Sequence, residues 1–463
     1  MNTRLQAVRW VVLLGLFITP CLRAGDVIEM GSRLELFVDD FMIQQMSGTA
    51  TQVLHKPEPQ EVVLVTDKPW EGNICWGYTP FEDGDRYKMY YCARHAAKVG
   101  DWGNMRGVAY AESSDGIHWK RPSLGRVKFD GYSGNNLINL PFSGAGFAPM
   151  KNDNPHAPRY AKYIATGWTS KGLELAVSAN GLDWQLADPS VIPVKGAFDS
   201  QNTLFWDTHA KLYRCYYRVF KPYVGRAVMT CTSPDLKSWS EPVDLQYPSA
   251  TVEELYTNAI QCYHRAPHIL VGFPTIYLRT PQEQVAPEFM SSRDGVTFHR
   301  WTEKIIPLTA PKDRDGNRSN YMAYGFLELP SRPDEYSFYA TEAYYVGTST
   351  RLRRFTYRID GFVSVSASNP GGEVLTKPLT FTGKFLVVNG VTKPGGSIRA
   401  EVLDEQGKPV AGKTLMECQP FTGDNIQHII RWQNSSDISA QAGKPTQLRF
   451  VLQDADLYSF QFR

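Results

Sequence analysis

The sequence predicts an all-β protein made of a five-bladed β-propeller followed by a C-terminal β-sandwich. Three observations favour this fold. After the first 24 residues, short runs rich in Tyr, Val, Phe and Ile alternate with Gly, Pro, Asn and Asp, and helical periodicity is almost absent. One turn motif recurs about every 60 residues, which is typical of radially repeated folds. Over roughly the last 100 residues the pattern changes to alternating strands joined by Gly and Pro, which is typical of a sandwich.

The repeated motif consists of Ser, Asp or Asn, usually Gly, and an aromatic residue three positions later. Its first copy is read as Ser114-Asp115-Gly116, and the four copies end at Trp119, Trp184, Trp239 and Phe298. Asp or Asn and Gly suit a tight turn, and the aromatic side chain packs where the next strand begins. We therefore predict that each copy joins two strands of one blade.

A Tyr-rich strand lies upstream of each motif, and one further strand lies upstream of that. The fifth unit has the Tyr-rich strand but lacks the motif. We predict that Leu34–Val38 closes the ring by pairing with the last blade. The predicted inner strands are 74–81, 146–151, 201–206, 254–263 and 320–329.

The predicted division of the chain is a signal peptide at 1–24, the propeller at 25–360 and the sandwich at 361–463. Arg4 and Arg9 precede a short apolar run and a small residue at Ala24, the pattern of a cleaved export signal. A lipid anchor on Cys21 is the alternative, but Pro20 does not suit it. We therefore expect a secreted or periplasmic protein with no membrane span.

The charges exclude one class of partner. The chain has 49 Lys and Arg against 47 Asp and Glu, a net charge of +2, and no block of like charge. Nucleic-acid binding requires a concentrated basic face, so nucleic acid is not expected as a partner. The aromatic share of 13% is high, and we expect it to serve packing between blades and the walls of a sugar site.

Cysteine and histidine patterns predict no metal or cofactor. Six cysteines remain after Cys21, without a C-x-x-C pair, and the nine histidines show no H-x-H or H-E-x-x-H spacing. Cys215 and Cys231 can face each other on neighbouring strands. A disulfide between them and buried free thiols remain open alternatives.

The repeated S-x-D-G-x-x-W turn on five blades, followed by a sandwich, resembles the clan of glycoside hydrolase families 32, 43 and 62. The likeness is closest to exported planctomycete-type proteins similar to families 32 and 43, which share an opening like Leu36–Ile43 and a close like Leu457–Phe462. The W-M-N-D-P-N-G motif of family 32 and a clear R-D-P triplet are missing. The resemblance therefore implies the fold and a carbohydrate-active function, without a fructosidase activity.

Glycoside hydrolysis needs two carboxyl groups, one as proton donor and one ionised. The resemblance implies carboxylates at the starts of inner strands, facing the propeller axis. We predict Asp199 and Glu254 as the main pair, with Glu71 as a third carboxylate. Glu253 is the alternative to Glu254, because neighbouring residues of a strand point to opposite faces. Asp39 and Asp40 are further contenders, although a turn-capping role suits them better.

The predicted substrate-binding residues lie near the same rim, where aromatic rings can stack on sugars and polar groups can bind hydroxyls. They are Trp70, Asn73, Trp76, Arg94, Asn202, Arg218, Tyr256, Arg318 and Tyr321. For the arginines, salt bridges between blades are the alternative. The predicted function is a secreted glycoside hydrolase. The alternatives are a non-catalytic carbohydrate-binding propeller and a sialidase-like or lyase-like enzyme on the same scaffold.

Overall fold

The computed structural model describes residues 27–98, 103–248, 250–280, 284–307, 319–433 and 435–463. The predicted signal peptide lies outside these residues. The described residues hold no α-helix, and no helix among them is long and apolar enough to cross a membrane. Within the described residues, 3-10 turns lie at Arg159–Ala161 and Ser439–Gln441. The all-β prediction is confirmed.

Five strands precede the first blade. They are β1 (Ile28–Gly31), β2 (Glu35–Leu36), β3 (Ile43–Gly48), β4 (Thr51–Leu54) and β5 (Glu58–Val65).

Three four-stranded meanders follow and form blades 1 to 3. Blade 1 consists of β6 (Trp76–Asp83), β7 (Arg86–His95), β8 (Asn104–Ser113) and β9 (Leu137–Ile138); blade 2 of β10 (Ser143–Lys151), β11 (Tyr163–Thr169), β12 (Gly172–Ser178) and β13 (Gln185–Val191); and blade 3 of β14 (Thr203–Asp207), β15 (Leu212–Lys221), β16 (Gly225–Ser233) and β17 (Val243–Asp244).

Blade 4 is a meander whose first three strands are each broken in two. Pro274 interrupts the second strand, because proline has no N–H to donate to the sheet. Ala259, at a φ of +44°, interrupts the first. The segments are β18 (Leu255–Thr257), β19 (Gln261–Cys262), β20 (Leu270–Gly272), β21 (Thr275–Leu278), β22 (Gln284–Pro287), β23 (Phe289–Ser292) and β24 (Phe298–Trp301).

Blade 5 contains β25 (Leu327–Leu329), β26 (Arg332–Glu342) and β27 (Arg351–Arg358), and its outermost strand is the N-terminal β5. The ring therefore closes with Glu58–Val65. The prediction that Leu34–Val38 closes it is wrong, because Glu35 and Leu36 pair with Phe460 and Ser459 near the C-terminus.

The C-terminal unit contains β28 (Val363–Ala367), β29 (Gly372–Thr376), β30 (Leu379–Phe381), β31 (Leu386–Leu403), β32 (Asp424–Ile429) and β33 (Gln447–Phe462). Strands β2, β3 and β4 pair with β33, β29 and β28, and β1 pairs with β30. The N-terminal 28–54 segment thus belongs to the C-terminal sheets. The predicted assignment of all of 25–360 to the propeller differs from the pairing in this respect.

The repeated turn has the predicted hydrogen bonds, with one correction. The serine of the first copy is Ser113, since its hydroxyl accepts the N–H groups of Asp115 and Gly116 at 3.2 and 3.0 Å. The Asp115 carboxylate accepts the next two N–H groups, and the Trp119 indole donates to Gly116 O at 3.0 Å. Gly116 has a φ of +71°, a conformation that glycine adopts without strain.

The turn also joins neighbouring blades. The carbonyl of its glycine accepts a hydrogen bond from a buried tyrosine on the second strand of the preceding blade. The three pairs are Tyr90 with Gly181 (2.8 Å), Tyr216 with Gly295 (2.9 Å) and Tyr339 with Gly116 (2.6 Å). Much of the aromatic content is therefore explained by contacts between blades.

The propeller axis is filled by polar side chains. Gln201 on blade 3 reaches across to blade 1, where its amide donates to Gly77 O at 3.2 Å and to the Thr79 hydroxyl at 2.8 Å. Thr203 donates to Asn258 of blade 4 at 2.8 Å. A ligand site on the axis must therefore lie at one end of the ring.

Two buried carboxylates connect the propeller with the C-terminal sheets. Glu35 binds Arg293 and His268 of blade 4 at 2.9 and 3.1 Å. Asp360 accepts from Arg265 of blade 4 at 3.0 Å and from Ser459 of β33 at 2.8 Å. An apolar core is shared across the same junction, so the two units are packed together.

Candidate functional site

Four aromatic side chains from three blades meet at one end of the axis, and we call them the axial cluster: Trp76, Tyr256, Tyr321 and Tyr344. Tyr321 is the centre, with ring centroids 5.7 Å from Trp76, 5.7 Å from Tyr256 and 5.1 Å from Tyr344. Trp76 starts the inner strand of blade 1, and Tyr256 lies on that of blade 4. Three of the four aromatic residues predicted at the rim, Trp76, Tyr256 and Tyr321, thus lie together, and their role in binding a substrate stays a prediction.

Asp199 stands beside this cluster through Arg218. The Arg218 guanidinium forms an ion pair with Asp199 and lies 5.1 Å from the Tyr256 ring centroid. Arg218 is 3% exposed, whereas the Asp199 side chain is 43% exposed. Burial, together with the neighbouring Arg226, lowers the pKa of Arg218. Asp199 and Arg218, which the sequence places near the rim, therefore both lie beside the axial cluster.

Glu254 approaches the same tyrosine from blade 4. Its carboxylate accepts from the Arg226 guanidinium at 2.9 Å and from the Arg226 backbone N–H at 3.1 Å, and it forms an ion pair with Arg279 at 2.5 Å. Burial opposes ionisation, but the hydrogen bonds and charge of Arg226 and the charge of Arg279 outweigh it and lower the pKa of Glu254. Arg226 also lies 5.1 Å from the Tyr256 ring centroid. Asp199 and Glu254 are thus connected through two arginines stacked near one ring.

Glu253 points away from Glu254, as strand alternation requires. It binds Arg300 and, at 3.2 Å, Lys304. Between blades 3 and 4, a cavity of about 370 Å³ is lined by Glu253, Leu255 and Arg300. The choice of Glu254 over Glu253 for the axial site is therefore supported.

Glu71 occupies a different place from the one predicted. Its side chain is fully buried and accepts from the Tyr91 hydroxyl at 2.5 Å and from Arg121 at 2.8 Å. Burial raises the pKa of Glu71, although Arg121 and Tyr91 oppose the shift. Tyr91 packs in the apolar core between blades 1 and 5. Glu71 is therefore part of the interior rather than a carboxylate open to a substrate.

Three predicted binding residues hold loops instead of facing a ligand. The Trp70 indole donates to Asn136 at 2.6 Å in the same interior. The Asn73 amide bonds to Ala96 and to Gly347, each at 3.0 Å, which ties blade 1 to blade 5. Asn202 is 1% exposed and accepts the backbone N–H of Arg218 at 3.0 Å. These contacts make Trp70, Asn73 and Asn202 structural.

The remaining predicted residues have separate outcomes. Arg94 lies beside the axial cluster: burial raises the pKa of the Tyr344 hydroxyl well above its ordinary value, and the Arg94 charge acts against that shift. Arg318 lies outside the described residues. Asp39 binds Arg293 at 2.8 Å and caps the N–H of Phe41 at 3.1 Å, far from Tyr256 in the sequence and in a different contact network.

Sequence reasoning missed Arg226, Arg279, Tyr277 and Tyr344. Arg226 follows the tip of the β15–β16 hairpin and lies 3.8 Å above the Tyr277 ring centroid. A signal was available for Arg226, since an arginine directly after a turn glycine, Gly225, can fold back over the preceding strand. For Arg279, the sequence offers no comparable signal.

The described residues contain no group of His, Cys, Asp and Glu arranged to hold a metal ion. Cys215 and Cys231 are direct register partners on β15 and β16. All six described cysteines are free thiols, so of the two alternatives the structure shows buried thiols at this pair.

Comparison with solved structures finds similar chains at low identity. One is an N-acetylgalactosamine deacetylase from F. plautii in complex with blood group B trisaccharide, with 15% identity, a TM-score of 0.41, and 73% of this chain and 96% of that chain covered. A thermostable family-43 glycoside hydrolase has 14% identity, a TM-score of 0.44 and coverages of 64% and 94%. A glycosyl hydrolase from Bacteroides ovatus has 14% identity, a TM-score of 0.44 and coverages of 68% and 97%.

No family model and no curated protein sequence matches the chain.

Proposed function

We propose that this protein is an exported glycoside hydrolase whose site is the axial cluster with Asp199 and Glu254. The observation that carries the proposal is the position of these two carboxylates, which arrive from different blades and whose arginine partners lie on one tyrosine ring. Trp76 and Tyr321 are buried, but Tyr256 and Tyr344 are partly exposed, so a sugar face can stack on these two rings beside the exposed groups of Asp199 and Arg279, which can bind hydroxyls. A carbohydrate is the ligand that this combination suits.

The surroundings of the two carboxylates suggest different roles. Glu254 accepts two hydrogen bonds from Arg226 and forms an ion pair with Arg279, which favours its ionised form as base or nucleophile. A second carboxyl group must then protonate the leaving group, and Asp199, the more exposed of the two, takes this role in the proposal.

The lowered pKa of Glu254 predicts the acid side of the pH profile. A carboxylate that acts while ionised stays active until the pH falls through its pKa, so activity should persist below pH 4.5, the ordinary value for Glu. The measurement is kcat/KM against pH. An acid limb that inflects well above 4.5 contradicts the role of Glu254 as the ionised group.

The direct test uses aryl-glycosides and oligosaccharides with the purified protein and three variants. Asp199→Asn and Glu254→Gln should each reduce kcat by roughly 100-fold or more, as expected for loss of a catalytic acid or base. Glu253→Gln is the matched control, because Glu253 is the neighbouring residue but binds Arg300 beside the cavity between blades 3 and 4, and this variant should retain activity. Thermal unfolding of each variant separates lost chemistry from lost folding. Turnover that survives both site substitutions contradicts the assignment.

One observation favours a second function, carbohydrate binding without catalysis. Both axial carboxylates are held by arginines, and the third carboxylate, Glu71, is buried elsewhere. A protein that binds saccharides by calorimetry, yet turns over none of a broad panel, supports this second function.

A further inference from the structure

Arginines outnumber carboxylates at the axial site. Arg218 is bound by Asp199, whereas Arg226 and Arg279 both bind the single carboxylate of Glu254. This group of five charged side chains therefore carries an excess of one positive charge, and the excess lies on the Glu254 side.

The two arginines at Glu254 retain hydrogen-bonding capacity. A guanidinium has five N–H donors. Arg279 uses its Nε for Glu254, and its side chain is 69% exposed. The Nε of Arg226 is buried without a hydrogen-bond partner among the described residues. A buried donor without a partner costs free energy.

Arg226 is held ready to bind a planar acceptor. Its guanidinium lies 3.8 Å above the Tyr277 ring centroid and 5.5 Å from that of Phe220. Stacking covers its flat face and leaves the edge for acceptors in its plane. Carboxylates and sulfates match this edge, because two of their oxygens can accept parallel N–H groups. Since the side chain is already ordered, binding requires little further loss of conformational entropy.

We propose that the axial site takes an anionic saccharide, whose carboxylate or sulfate group binds Arg279 and the edge of Arg226 next to Glu254. The position of the sugar ring at the axial cluster rests on the proposed function, whereas the anion contact is independent of turnover. A neutral sugar would leave the excess positive charge without a counter-charge.

The test is calorimetry with tri-galacturonic acid, the same trisaccharide with its carboxyl groups reduced to alcohols, and an O-sulfated galactose trisaccharide. At least one anionic probe should bind roughly tenfold or more tighter than the reduced one, the effect of one or two charge-assisted hydrogen bonds. The affinity of the anionic probe should fall as the salt concentration rises from about 20 mM to about 500 mM, because the site is partly exposed. The two anionic arms distinguish a uronate from a sulfate ester.

Arg279→Gln supplies the site-specific evidence, and Arg86→Gln is its control. Arg86 is also an exposed arginine with one carboxylate partner, Glu112, but it starts β7 at the other end of its strand from Arg94. Arg279→Gln should lose about tenfold affinity for the anionic probe and leave the weak binding of the reduced trisaccharide unchanged. Arg86→Gln should bind both as the native protein does.

Equal affinities for anionic and reduced probes, no binding of any probe, or identical behaviour of the two variants would each overturn the anion contact. The proposed function fails separately. If an anionic probe binds through Arg279 but no glycoside is hydrolysed, the anion site stands and the hydrolase does not. If neutral glycosides are hydrolysed and anionic ones are not bound, the reverse holds.

Discussion

Glu254 shows how a single carboxylate is positioned by its neighbours rather than by its own strand. The backbone N–H and the guanidinium of Arg226 both donate to it, and Arg279 forms an ion pair with it. Gly225, at a φ of +86°, allows the hairpin tip to approach so closely that any Cβ there would overlap the Glu254 carboxylate. Glycine at this position is therefore required by the site as well as by the turn.

Replacing Gly225 with alanine should damage activity more than stability. The Glu254 carboxylate is the end of a flexible side chain, so it can move away from the new methyl group at little cost to folding. A displacement of about 1 Å can lower kcat by roughly 100-fold. The measurement is kcat together with the unfolding midpoint.

Gly84→Ala is the control for Gly225→Ala. Gly84 also has a positive φ, +72°, but open space surrounds its Cβ position. It reports the backbone strain alone and should leave kcat unchanged. Equal kcat in the two variants would show that Gly225 does not position Glu254.

At the scale of elements, the turn motif of one blade and the Tyr-rich strand of the preceding blade form one hydrogen-bonded contact. Tyrosine and turn glycine occur together at three blade junctions. At the junction of blades 2 and 3 both are replaced. Tyr90 lies three residues after Tyr87, the strand residue that pairs with the turn serine. In blade 2 the residue at the same place is Thr166. The turn of blade 3 has Leu236, at a φ of +64°, in place of glycine. The pairing of the two replacements indicates that the glycine serves the tyrosine as well as the turn.

Gly181→Ala tests this contact between the tyrosine and the turn glycine. The new Cβ would overlap the hydroxyl of Tyr90, which is fully buried and cannot swing into solvent. We expect a loss of about 2–4 kcal/mol in the free energy of unfolding, from strain and from displacement of the ring. Gly84→Ala should lose only about 1 kcal/mol, the cost of a positive φ alone. Urea unfolding measures both, and similar losses would argue against the role of Tyr90.

These elements were largely predictable from the sequence, because turn chemistry and strand alternation depend on neighbouring residues. The inner strands predicted at 201–206 and 146–151 correspond to β14 and β10. The breaks in blade 4 have a local cause in Pro274. No local pattern indicates which strand an N-terminal strand will pair with. The sequence therefore places Leu34–Val38 in the wrong sheet.

For the whole molecule, the junction between propeller and C-terminal sheets depends on ionised carboxylates. Burial opposes ionisation of Glu35, but the hydrogen bond from His268 and the charges of Arg293 and Arg33 outweigh it and lower its pKa to about 2. A lowered folded-state pKa stabilises the fold above the unfolded pKa, and this contribution is lost as the pH falls through the folded value.

The stability of the native protein should therefore fall between about pH 5 and pH 2, and Glu35 alone should contribute about 3 kcal/mol of that fall. Urea unfolding at a series of pH values measures it. In Glu35→Gln, which cannot ionise at this position, the unfolding free energy should be lower at pH 7 and should depend less on pH over the same range. An unchanged pH dependence in Glu35→Gln would assign the effect to other carboxylates.

The sequence by itself determined the all-β class, the repeated turns, the Tyr-rich strands and the presence of acidic residues where inner strands begin, since each follows from residues close together in the chain. Only the tertiary structure decided which carboxylates lie at the axial cluster. Asp199, Glu254 and Glu71 look alike as acidic residues before strands, yet Arg218 and Arg226 draw two of them to the axial cluster and Arg121 with Tyr91 keeps the third inside. The environment of a carboxylate depends on residues brought to it by folding, up to 50 positions away for Arg121, and the local pattern carries no record of them.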